Sequence, residues 1–137
     1  MVTLSALLYV MLVFTLDEVE FLVSQPLARL ATASADGMPD LAVVPFDVVD
    51  GCVVMGEVGL SKTVRYQFVH ENPRAMVVVD DVVSLHPFVS RGVKVRGGVV
   101  VEVVGGVERL RVVPEVVWSW GVNGGLDASA AMTRRAL

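Results

Sequence analysis

The chain has a single cysteine, Cys52, and two histidines, His70 and His86, in 137 residues. One cysteine excludes an internal disulfide framework and fits a reducing compartment such as the cytoplasm. Three such residues, far apart in the chain, do not supply a zinc site, so no metal is expected. Positive charge is also short. Eleven Lys and Arg against fifteen Asp and Glu leave a formal net charge of −4, and no basic stripe is available to neutralise nucleic-acid phosphates. Long apolar runs are absent too: none reaches the roughly 18 residues that span a bilayer. The nearest is Leu4 to Phe14, which has no Lys or Arg before it and no small-residue cleavage pattern. Residues 1–14 are therefore expected to be an apolar extension packed on the domain or on a second copy, or else to lie upstream of a natural start near Met11. No linker or repeat divides the remainder of the chain, so one domain is expected over residues 15–125, with a fraying tail over 126–137.

Valine is what the chain has most of, with 33 residues from Val2 to Val122. β-branched side chains lose rotamer freedom in helices and pack well on pleated surfaces, which predicts a mainly β fold. Hydrophobic residues make up 54% of the chain. So much apolar content on so short a chain predicts a further surface to hide, and a homodimer is the usual solution.

Thr15-Leu16-Asp17-Glu18 is a capping-box pattern, followed by an apolar face of Val19, Leu22 and Val23 and a stop at Pro26. Strands are expected over Leu27–Ala33, Met38–Val48 and Cys52–Gly56, with turns at Asp36-Gly37 and Asp50-Gly51. Ser61 to Glu71 reads as a helix with Ser61 as N-cap, Val64 and Phe68 on one face, and Asn72-Pro73 as its end. Further strands are expected over Arg74–Asp80, Gly92–Val104 and Val107–Val113, with a loop over Val82–Ser90 and a short helix or loop over Pro114–Trp120. The predicted fold is therefore α+β, mainly β: six antiparallel strands closed into a barrel, with two or three short helices.

The segment with most chemistry is Gly56-Glu57-Val58-Gly59-Leu60-Ser61-Lys62-Thr63. It nearly matches a P-loop, but Ser61 replaces the second glycine and the hairpin-rich order lacks the parallel sheet that a nucleotide hydrolase needs. The phosphate-binding physics remains. A strand running through a glycine-containing loop into a helix start offers free N–H groups and the positive helix end. Lys62 and Arg65 add cations, and Ser61 and Thr63 add hydroxyls. The plain alternative is a Ser-capped helix with solvated Lys and Arg. His70 is explained by its helix end, and His86 sits in a loop before Pro87. No acid–base or nucleophilic constellation stands out, so no catalytic residue is assigned.

Several stretches, in order, resemble one family: Leu27-Ala28-Arg29-Leu30-Ala31-Thr32 with Asp36-Gly37-Met38-Pro39, then Val43-Val44-Pro45-Phe46. Ser61-Lys62-Thr63-Val64-Arg65, Asn72-Pro73-Arg74-Ala75, Val93-Lys94-Val95-Arg96-Gly97 and Trp118-Ser119-Trp120-Gly121 come after them. Together they resemble the pyridoxamine 5′-phosphate oxidase-like split-barrel flavoprotein superfamily, and within it the short single-domain proteins described as F-420-dependent enzymes. The resemblance implies a homodimer of split barrels holding FMN, or alternatively the deazaflavin F-420, in a cleft between subunits. It also implies hydride transfer to or from a small organic substrate. A non-catalytic flavin or F-420 carrier with the same fold is the alternative.

By that resemblance Lys62 and Arg65 hold the cofactor phosphate with the hydroxyls of Ser61 and Thr63 and the Gly56-Glu57 loop. Val44, Pro45 and Phe46 offer backbone to the ring system. Arg96 matches a basic position near the cleft, its alternative being an exposed strand arginine. Trp120 would flank a ring or the interface, or else lie in the core. Two departures stand out. The pyridoxal-specific enzymes carry a longer basic C-terminal region, which argues against vitamin B6 oxidation here, and Tyr66 stands where many relatives have Asn.

Overall fold

The computed structural model describes residues 3–5, 13–123 and 132–137. Residues 6–12 of the N-terminal apolar segment and 124–131 before the C-terminus lie outside them. The valine-rich segments form one antiparallel sheet of β1 (Leu27–Ala33), β2 (Pro39–Pro45), β3 (Asp47–Val49), β4 (Cys52–Gly56), β5 (Arg74–Leu85), β6 (Phe88–Val104), β7 (Val107–Trp120) and β8 (Thr133–Ala136). Strand order is β2-β1-β5-β6-β7-β4-β3, with β8 also paired to β7. β4 takes Arg109 to Val112 of β7 and β8 takes Val116 to Ser119, so the two share the edge of β7 opposite β6.

The expected six-stranded closed barrel is corrected to eight strands in a sheet that does not close. Two local features raise the strand count, and two others lengthen strands already expected. The chain breaks at Phe46, which splits the long second strand into β2 and β3. Pro114 does not end its strand, because Gly97 pairs with Pro114 across a bulge and the ladder resumes at Arg96 and Val116. A proline at a bulge removes no regular ladder bond. Thr133–Ala136, expected to fray, pairs with β7. Likewise β5 and β6 continue through the expected loop over Val82–Ser90 into a hairpin. β2 and β3 are the two ends of the sheet path, yet only Phe46 separates them in the chain. The sheet curls far enough to bring its ends together without a hydrogen-bonded seam. Prolines at both ends of β2 suit that free edge.

Helix α1 (Leu16–Val23) carries the capping box as expected: the Glu18 N–H donates to Thr15 Oγ at 3.2 Å and the Thr15 N–H donates to Glu18 Oε1 at 2.9 Å. Leu22 is buried and Val19 packs on the core as expected, Glu18 and Phe21 join them, and only Val23 departs, being 74% exposed. The core lies inside the curled sheet, where Leu30, Val77, Val79, Val93, Val95, Leu110 and Val112 meet Phe14, Phe21 and Leu22 from one end. Burying each such side chain contributes about 1.5–3 kcal/mol. Helix α2 (Val64–Glu71) brings Val69 to the same core, preceded by a 3-10 turn at Leu60–Lys62 that buries Leu60. Among the described residues no helix is long and apolar enough to cross a membrane.

Candidate functional site

β4 ends at Gly56, where an added Cβ would come to 3.0 Å from the Arg109 Cβ on β7 and push the two strands slightly apart. The chain then turns through Gly59, whose φ of 83° is left-handed, into Leu60–Lys62. The N-cap of α2 is Thr63, not the expected Ser61. Its hydroxyl donates to the Leu60 carbonyl at 2.6 Å and accepts the Tyr66 N–H at 3.3 Å. That hydroxyl proton is therefore spent on holding the turn against the helix. The inward side of α2 also differs from expectation: Val69 is buried and Val64 is exposed.

This geometry opens a small cleft, of about 10 Å³, between the end of β2, the end of β4 and the start of α2. Val44, Pro45, Gly56, Glu57 and Arg65 line it, all of them expected from sequence, together with Met55 and Leu60. Met55 and Leu60 are both buried and form its floor. Their part was hidden in the sequence because any strand end and any turn supplies a buried apolar residue. Ser61 and Lys62 are exposed beside the cleft, and Phe46, half-buried, packs on the core just after Pro45. Arg96 and Trp120 lie elsewhere in the single chain. Arg96 is exposed on β6, and the half-buried Trp120 donates its indole N–H to Ser90 Oγ at 3.2 Å.

The cleft's electrostatics rest on Arg65, whose side chain is 15% exposed and ion-paired with Glu57. Lys62 has no such partner among the described residues. The first N–H groups of α2, those of Val64 and Arg65, have no intrahelical acceptor, and they add the positive helix end to these cations. Tyr66, one residue on, hydrogen-bonds Glu108. That bond, burial and the carboxylate's charge together raise its phenol pKa. Two cations, one free hydroxyl and two backbone donors suit a phosphate. Glu57 competes for the same guanidinium and has to swing away when an anion binds.

No sequence-family profile matches the chain. A 5a,11a-dehydrotetracycline/5a,11a-dehydrooxytetracycline reductase from Streptomyces rimosus is 31% identical over 124 residues, covering 83% of this chain and 87% of the relative. Among solved structures, a conserved hypothetical protein of Mycobacterium tuberculosis superposes with a TM-score of 0.69 at 17% identity, over 86% of this chain and 92% of that one. A putative pyridoxamine 5′-phosphate oxidase from Listeria innocua superposes with a TM-score of 0.58 at 13% identity, over 72% and 90%. These structures share the fold, and the reductase shares the sequence over nearly its whole length. With the glycine turn, the Lys62–Arg65 helix start and the curled antiparallel sheet in place, the chain belongs to the pyridoxamine 5′-phosphate oxidase-like split-barrel flavoprotein superfamily.

Proposed function

We propose that this protein is a homodimeric, cytoplasmic oxidoreductase that binds FMN, or in its place F-420, and transfers hydride to or from a small organic substrate. The observation that carries the reading is Arg65, largely buried at the cleft beside the start of α2 with the unpaired Lys62 next to it. Arg65, Lys62, Ser61 and the first α2 amides hold the phosphate, while Gly56 and Glu57 shape the turn beneath it. Val44, Pro45 and Phe46 offer the edge of β2 to the ring. When bound, the flavin supplies the redox chemistry, and the chain's work is positioning and exclusion of water.

A cleft of about 10 Å³ cannot enclose a ring system, which supports a second copy as its cover. The outer face of β2 supports the same conclusion. Leu41 is 67% and Val43 59% exposed on a face whose β1 residues are Leu27, Ala31 and the ion-paired Arg29, and two such exposed apolar side chains on one edge strand suit a covering surface. Arg96 and Trp120 reach a cofactor only where that second copy brings them to it. The relative's name makes a dehydrotetracycline, a polycycle with a C5a=C11a double bond, the first substrate to test.

The test is direct. The purified protein should be examined for a flavin spectrum, then titrated with FMN and F-420. The Lys62→Ala/Arg65→Ala double variant is expected to bind the preferred cofactor at least 100-fold more weakly, since each charge-assisted contact contributes about 1.5–3 kcal/mol. Equal binding by this variant overturns the assignment. Cofactor binding without turnover of reduced cofactor on a dehydrotetracycline or any other conjugated alkene tested would favour the carrier reading.

A further inference from the structure

The family resemblance counts Glu57 among the residues that hold a phosphate, yet its carboxylate is itself an anion, ion-paired with Arg65 at the cleft. Ion pairs elsewhere in the chain tie separate elements together. Arg29–Asp80, Arg91–Asp81 and Arg109–Glu102 join neighbouring strands, and Arg135–Glu18 joins β8 to α1. Glu57 and Arg65 span only the turn between β4 and α2, and other contacts already fix that turn. The Leu60 N–H donates to the Glu57 carbonyl at 3.3 Å and the Lys62 N–H to the Gly59 carbonyl at 3.0 Å. The Leu60 side chain is buried, and the Thr63 hydroxyl caps α2. The turn therefore does not need this pair.

The two partners also differ in freedom. The Arg65 side chain is 15% exposed and the Glu57 side chain 45%. Glu57 can rotate into water with its backbone unmoved, while Arg65 stays at the cleft wall. An ion pair with so exposed a partner is a weak tie, and another anion can displace it. What matters is which anion. Free phosphate or sulfate gives up its hydration for contacts to Arg65 like those the carboxylate already makes, so the exchange gains it little. A phosphate ester whose body also packs on Val44 and Pro45 adds contacts that Glu57 cannot match, and it prevails.

We propose that Glu57 is a specificity residue of this cleft. Its carboxylate competes for the anion position at Arg65, which excludes free inorganic phosphate and sulfate and yields only to a phosphate carried on a larger ligand. This role rests on the cleft being the cofactor's phosphate site, and it makes Glu57 the competitor of that phosphate, not one of its holders.

The experiment titrates inorganic phosphate calorimetrically into the full chain and into Glu57→Gln, at constant ionic strength set with chloride. FMN, F-420 and riboflavin, a flavin without phosphate, are titrated into both proteins in parallel. Glu57→Gln is expected to bind inorganic phosphate about ten-fold or more tighter than wild type, as one charge-assisted contact implies. The gain should vanish in the Glu57→Gln/Lys62→Ala/Arg65→Ala variant. The cofactor that binds should also bind more tightly to Glu57→Gln, and added inorganic phosphate should weaken it there but not in wild type. Riboflavin should not distinguish the two proteins. Equal phosphate binding by wild type and Glu57→Gln overturns the proposal, as does a gain that survives loss of Lys62 and Arg65, or an equal gain for riboflavin. Thermal melts of Glu57→Gln should match wild type; a markedly lower melting temperature makes the pair architectural and also overturns it. The two failures are separable. If neither FMN nor F-420 binds to either protein, the cofactor reading fails and the role of Glu57 falls with it. If a cofactor binds through Lys62 and Arg65 but Glu57→Gln gains no phosphate, the role of Glu57 fails alone.

Discussion

Gly97 and Gly92 show how differently two glycines of one strand can be constrained. A Cβ at Gly97 would sit 1.8 Å from the Val113 carbonyl oxygen, which is backbone in the next strand and cannot move without opening the bulge. At Gly92 the obstacle is the Trp120 indole at 2.3 Å, a side chain that can rotate away. Gly97→Ala should therefore cost about 3 kcal/mol or more in denaturant unfolding. Gly92→Ala should cost less but change the tryptophan fluorescence. Glu18 is a third residue whose surroundings decide its behaviour. It is 1% exposed and accepts Arg135 Nη2 at 2.7 Å in addition to the Thr15 N–H. Burial alone would raise its carboxyl pKa, but the hydrogen bonds from Arg135, Thr15 and Ser119 outweigh that and leave it lowered. A lowered folded value means this stabilisation is complete above the unfolded carboxyl's range, near about 4.3, and is lost as pH falls through the folded value. Glu18→Gln should flatten the acid limb of the stability–pH curve; parallel curves for variant and wild type would contradict this.

At the scale of elements, the joint between the 3-10 turn and α2 is held by one hydroxyl. Thr63→Ala removes both the Tyr66 cap and the bond to Leu60, at an expected cost of about 1 kcal/mol. Because the same joint sets where Lys62 and Arg65 stand, cofactor affinity should fall as well. Thr63→Ser should restore both in thermal melts and titrations. The arrangement β4, turn, helix start was legible in the sequence, since glycine, hydroxyl and cation spacing mark it. The capping residue was not, because Ser61 and Thr63 are equally good caps and only the inserted 3-10 turn decides between them. β7 has the same lesson in reverse. Pro114 reads as a strand end, but Gly97 on the neighbouring strand makes room for a bulge, and no local pattern contains both residues.

For the whole molecule, the sheet curls without a seam and leaves Leu41 and Val43 exposed on the outer face of β2. On the proposed dimer, Leu41→Lys with Val43→Lys should give a folded monomer in sedimentation velocity and weaken binding of the proposed cofactor together with it. If the variant remains dimeric, the copies meet on another face. β8 returns to β7 and ties to α1 through Arg135, which donates to Glu18 and to the Val13 carbonyl at 2.5 Å. Arg135→Met should therefore destabilise the fold by about 2 kcal/mol or more, since it leaves a buried carboxylate short of a partner.

The sequence by itself determined the β-rich character, the α1 cap, the hairpin at Asp50-Gly51 and the glycine turn with Lys62 and Arg65 at the start of α2, because each depends on residue type and short-range spacing. Only the tertiary structure decided the number of strands and the open seam, since bulges and edge pairings depend on residues distant in the chain. It also decided that Glu57 neutralises Arg65, and that Lys94, Arg96 and Arg134 meet at Trp118. Charges from two strands meet across the indole of a third only once the register is set.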